Sequence, residues 1–190
     1  MNDKIRQNER GMPENNGRKR TAKECAYLAV FVALTIGAQL AFSAIPGIEV
    51  VTVLFVAYSF VFGARRGMLA AMAFSLLRQF VFGFFVNVLV LYLLYYNLLA
   101  FVFGMLGRGG KTNVCALILL TALACVFTVF FTLTDNLLTA FWYGLSGNAA
   151  RVYFSASIPV MVSQTVCTAV TVGVLFLPLQ RVFSTIKKGM

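Results

Sequence analysis

The chain has 190 residues, 60% of them hydrophobic, with 16 Lys and Arg against 6 Asp and Glu, no His, and a net charge of +10. In a soluble protein that surplus would point to nucleic acid, but the charges lie almost wholly outside apolar runs too long for a soluble 190-residue core to hide, so no nucleic-acid partner is expected. Without His the commonest general base and metal ligand are missing, and Cys25, Cys115, Cys125 and Cys167 lack metal-site spacing and read as small apolar residues.

From Ala22 to Leu179 the text is nearly continuous apolar sequence with five short polar interruptions. About 20 apolar residues in a helix cross the hydrocarbon of a bilayer, and backbone N–H groups in lipid are satisfied within their own segment only in helices or closed barrels. The expected fold is therefore an all-α membrane protein of six transmembrane helices.

Residues 1–21 are polar and basic and read as a disordered cytoplasmic tail. Helix 1 is expected over 23–44; it is too long for a signal peptide's apolar core and reads as an uncleaved first span. Its small residues Ala22, Ala26, Ala29, Ala33, Gly37 and Ala41 fall within about 120° of one another. Such a stripe either packs against the protein's own helices or docks another membrane protein. Helix 2 is expected over 48–63, helix 3 over 67–84 and helix 4 over 86–106. Only Gly83 and Asn87 punctuate the join between helices 3 and 4, but a single span there would be far too long for a bilayer. Helix 5 is expected over 113–134 and helix 6 over 157–179, with Pro159 in its first turn. The membrane domain thus covers 22–185, and 186–190 form a short basic tail.

With six spans both termini share one side, and 14 of the 16 positive residues fall there, including Arg65, Arg66, Arg108, Lys111, Arg181, Lys187 and Lys188. The positive-inside rule makes that side cytoplasmic. The opposite loops hold only Arg151, and Arg78 lies within helix 3.

An intramembrane charge usually faces a partner or a water-filled cavity. Arg78 therefore reads either as half of a structural salt bridge, with Glu49 or Asp135, or as the wall of a cavity open to the outside. Gln79, Asn87, Asn136, Arg151 and Gln164 join these residues in the outer half, which favours a site taking solute from outside. Helix 5 carries a polar stripe of Thr121, Thr128, Thr132 and Asp135, and helix 6 one of Ser157, Gln164, Thr168 and Thr171, both with spacings of seven, four and three. The segment 135–156 is expected as an external loop whose Trp142, Tyr143 and Tyr153 form either an aromatic belt or a substrate-facing surface. Met105-Leu-Gly-Arg-Gly-Gly-Lys-Thr resembles a phosphate loop, but its first glycine is misplaced and it follows a membrane helix. No enzyme is expected.

The Ala-rich stretch Ala22 to Ala33, Ile45-Pro-Gly-Ile-Glu-Val-Val-Thr, Phe62-Gly-Ala-Arg-Arg-Gly, Asp135-Asn-Leu-Leu-Thr and Tyr153-Phe-Ser-Ala-Ser-Ile-Pro together resemble the substrate-binding (S) component of energy-coupling factor (ECF) transporters, the prokaryotic vitamin uptake systems. The resemblance covers residues 22–185. It implies a cell-membrane subunit that binds a vitamin or similar micronutrient near the external face. It also implies docking through Ala22, Ala26, Ala29 and Ala33 on a transmembrane coupling subunit powered by two cytosolic ATPases. The loop near Pro46 and Glu49 would act as a lid; Asn97, Asn136, Trp142, Tyr143, Arg151 and Gln164 become candidate ligand contacts, beside Asp135. Glu49 and Arg78 contact ligand or frame the pocket. Cofactors are not expected, and the vitamin is not readable, since fold does not fix ligand. A self-sufficient small transporter or channel, or a membrane enzyme, are the alternatives.

Overall fold

The computed structural model describes residues 14–45, 48–107 and 113–189, with side chains from Thr21 onward. The start of the basic tail, Pro46 of the expected lid, and Arg108 to Thr112 with the loop charges Arg108 and Lys111 lie outside the described residues. Among the described residues all regular structure is helical: α1 (Glu14–Phe42), α2 (Val51–Phe62), α3 (Ala64–Phe82), α4 (Val86–Leu106), α5 (Val114–Trp142) and α6 (Gly147–Lys188). Four of them, α1 from Thr21 onward, α4, α5 and α6, are long and apolar enough to cross a membrane. α2 is different: its 12 residues rise about 18 Å, well short of a hydrocarbon core of about 30 Å.

Four helix ends depart from the sequence reading because polarity was taken for the end of a helix; one of them is the end of α6, which runs past the expected 179 to Lys188, inside the expected tail over 186–190. α1 begins at Glu14, inside the segment expected as a disordered tail. Its first turns hold the good helix formers Arg18, Lys19 and Arg20 and no proline, so the helix runs on past its apolar stretch. α5 continues to Trp142 and α6 begins at Gly147, so the expected loop over 135–156 shrinks to 143–146. Asp135 and Asn136 are helical, as is Arg151. Pro159 lies well inside α6, not in its first turn. In the turns before it, the Ser155 and Ser157 hydroxyls donate to the carbonyls of Arg151 and Phe154, both at 2.8 Å, and so satisfy their own polarity within the helix.

α2 is the centre of the fold. All twelve of its residues are buried, and it packs on α6, α4, α3 and α1. Aromatic rings lock these contacts: Phe31 of α1 stacks on Tyr58 at 4.0 Å, Phe55 meets Tyr96 of α4 at 4.8 Å, and Phe60 meets Phe176 of α6 edge-on at 5.3 Å. The reversal into α3 takes one residue, Gly63, at φ 88° and ψ 167°. That conformation is essentially confined to glycine. Gly83 (φ 96°, ψ 153°) does the same for the tight turn into α4, so helices 3 and 4 are separate, as bilayer thickness requires.

At this end of the bundle the backbones touch. A Cβ on Gly104 would overlap the backbone of Ala64, and one on Gly107 the backbone of Phe60. Lys187 donates to the carbonyl of Val61 at 2.5 Å, satisfying an acceptor in the last turn of α2, and Arg66 pairs with Glu24 at 2.5 Å. These contacts gather the start of α3 and the ends of α2 and α6 at one basic end.

The glycines give a paired test. Gly104→Ala has only backbone to displace and should cost about 1–3 kcal/mol. Gly37→Ala, where an added Cβ meets nothing within 4 Å, should be neutral or gain up to about 1 kcal/mol. Unfolding titrations in detergent micelles check both signs.

Candidate functional site

At the end of the bundle opposite the Lys187–Val61 contact, two cavities adjoin. The first encloses about 320 Å³ and is lined from all six helices and from the segment between α1 and α2. The second encloses about 290 Å³ between α5 and α6. Phe131 and Gln164 line both.

Arg78 reaches the first cavity from α3. Its guanidinium lies over the Tyr92 ring at 4.1 Å and the Phe82 ring at 4.7 Å, cation–π contacts that hold a charge without neutralising it. Nε donates to Gln39 Oε1 at 3.0 Å, and Gln39 Nε2 donates to the Tyr92 hydroxyl at 2.9 Å. The expected salt bridge with Glu49 or Asp135 does not form: among the described residues the only ion pair is Arg66–Glu24. The reason is geometric, since the Gln39 amide occupies Nε and two aromatic faces hold the guanidinium plane.

Glu49 lines the same cavity, but its carboxylate is built into the wall. Oε1 accepts from Thr52 at 2.7 Å and from Tyr96 at 3.4 Å, while Oε2 is buried without a partner. Its backbone is pinned to α6, where Cys167 Sγ lies 3.3 Å from the amide nitrogen and 3.8 Å from the carbonyl. The segment over the cavity is therefore tied down close to its junction with α2.

The two polar stripes read from the sequence face each other. Thr128 and Thr168 share a hydrogen bond at 3.0 Å, Thr132 donates to Gln164 at 3.2 Å, and Asn136 donates to Ser157 at 2.6 Å. The first pair closes the seam; the other two stand where it opens, and Thr132, Asn136, Ser157, Gln164 and Asp135 all line the second cavity.

Of the sequence candidates, Glu49, Arg78, Asp135, Asn136 and Gln164 come together here. Asn97 lines neither cavity and donates to the Leu93 carbonyl of its own helix at 2.7 Å. Trp142, Tyr143 and Arg151 are exposed and line neither. Gln79 is structural: its side-chain oxygen accepts from the Phe85 amide at 3.3 Å across the Gly83 turn. Sequence reasoning missed Gln39, Tyr92, Tyr96 and Phe131. Gln39 was detectable, as an uncharged polar residue in the last turns of an apolar helix; the aromatics were not distinguishable from core.

Glu49 also yields a stability test. Thr52→Val removes its short hydrogen bond in the core and should cost about 1–3 kcal/mol, whereas Tyr96→Phe removes the long one and should cost at most about 1 kcal/mol. The order of the two melting temperatures in micelles decides it.

No family model matches the sequence, and no curated protein and no solved structure matches it either.

Proposed function

We propose that this chain is the substrate-specificity subunit of an ECF-type uptake transporter, binding a vitamin-like micronutrient and docking on a coupling subunit driven by two separate ATPases. In this reading all six helices cross a prokaryotic cell membrane, with both chain ends and the basic end of the bundle in the cytoplasm. α2 crosses as a short helix enclosed by the others, so it need not match the thickness of the lipid. The cavities then open toward the outer face.

The observation that carries the reading is the first cavity, to which all six helices contribute and in which a guanidinium stands without an ion-pair partner among the described residues. A charge left without an ion pair inside a mainly apolar bundle fits a solute site better than a packing role. The α1 stripe adds support: Ala22, Ala26, Ala29 and Ala33 are all exposed, so internal packing does not use them. A flat outward face of small residues suits close approach of another membrane helix.

Mass spectrometry of small molecules released from the detergent-purified chain should find a vitamin-like solute at close to one per chain. An empty preparation that no vitamin panel stabilises counts against the reading. Ala29→Leu with Ala33→Leu should keep the solute and lose copurification of the coupling subunit and ATPases. Uptake into vesicles by the purified chain alone would favour a self-sufficient transporter instead.

A further inference from the structure

Arg78 lines the first cavity and Asp135 the second, and neither forms an ion pair with a described residue. Glu49 also lines the first cavity but does not pair with Arg78: one of its oxygens accepts from Thr52 and Tyr96 and the other is buried in the wall. The terminal nitrogens of Arg78 have no described partner: Gln39 takes only Nε, and the ring contacts leave the guanidinium edge free. Phe131 and Gln164 line both cavities and form the wall they share. Gln164 is held by Thr132 at 3.2 Å, and Phe131 packs on Tyr95 at 4.7 Å and Tyr92 at 5.7 Å.

Each charge borders space that a solute can fill, and each lacks an ion-pair partner among the described residues. A ligand charged at both ends would give each of them a counter-charge that the described residues do not supply. We infer that the two cavities form one bipartite site for an elongated amphoteric solute. Its carboxylate or phosphate sits on the Arg78 edge, its ring crosses the wall at Phe131, and its amine or similar N–H-bearing cation meets Asp135 beside Asn136 and Ser157. Paired N–H donors of a guanidinium edge match a planar oxyanion, and Phe131 offers an aromatic face midway. The inference rests on the solute-binding reading of the same cavities, but not on any coupling subunit or ATPase.

The test uses the full chain in micelles and a flexible aromatic zwitterion as the probe. Tryptophylglycine carries both end charges, its N-acetyl form lacks the cation and its amide lacks the anion. Isothermal titration should give the parent an affinity about 10–100-fold above either blocked form, the scale of one lost charge-assisted hydrogen bond. Asp135→Asn should abolish the preference over the N-acetyl form and keep that over the amide. Arg78→Gln should do the reverse. Equal affinity of the three probes for the unmutated chain overturns the inference, as does no measurable binding of the parent. So does a variant that changes both preferences together. Should Arg78→Gln fail to fold, the three probes on the unmutated chain still decide. Binding of the parent probe without copurification of ATPases would sink the ATPase-coupled reading and leave this inference standing.

Discussion

A twelve-residue helix buried on every side is the constraint from which the rest of this fold follows. A helix in that position must be apolar around its whole circumference, and α2, Val-Thr-Val-Leu-Phe-Val-Ala-Tyr-Ser-Phe-Val-Phe, very nearly is. Most of its polar groups are answered locally: Thr52 donates to Glu49 at its start, the Gly63 amide closes on the Ser59 carbonyl, and Lys187 reaches the Val61 carbonyl at its end, while the Ser59 hydroxyl is buried with no partner among the described residues. Other helices approach until glycine is needed, at Gly104 and Gly107. The outer helices then turn their remaining apolar faces outward, and side chains such as Phe80, Val114 and Phe141 stand exposed, an arrangement suited to lipid and costly in water.

The shortness of α2 also locates the cavity. The helices around it are 19 to 42 residues long, while α2 has 12. If its lower end is fixed at Gly63 beside the start of α3, its upper end stops short of the neighbouring tops. The space above Val51 is bounded by α1, α3, α4, α5 and α6 and crossed by the segment leading from α1, and this is the first cavity. The site is thus a consequence of helix length. Lengthening α2 by two turns would fill the cavity with backbone, and for this reason the non-helical residues Ile48, Glu49 and Val50 are as much a part of the architecture as the helices.

The sequence read as an all-helical chain gave the number of helices, their order and the turns at Gly63 and Gly83. These were legible because apolar runs and glycine punctuation are local signals. The lengths of α5 and α6 were not, because Asp135, Asn136 and Arg151 look like loop residues when position in the chain is all that is known. Charge in the middle of a chain marks where a helix leaves an apolar layer, which is not where the helix ends. At the site, the charged and amide-bearing residues Glu49, Arg78, Asp135, Asn136 and Gln164 stood out because each is costly in an apolar run. Tyr92, Tyr96 and Phe131 did not, since an aromatic at helical spacing reads equally as core, and only the packing shows which rings face a void. Asn97 drew attention for the same reason as the others, yet it answers its own helix.

The α5–α6 seam shows how one pair of polar stripes both packs two helices and lines a cavity. The pairs Thr128–Thr168, Thr132–Gln164 and Asn136–Ser157 run antiparallel along one line. In the lower turns the hydroxyls of Thr128 and Thr132 also bond the carbonyls four residues back, so their polarity costs little even where no water reaches. Moving up the seam, hydroxyl partners give way to the longer Gln164 amide and then to Asn136, and the second cavity begins where that change occurs. The same stripe is glue at one end and cavity wall at the other. What separates the two roles is the length of the paired side chains: two threonines draw the helices together, while an amide across from a hydroxyl spans a wider gap and leaves room beside it for something else to bond.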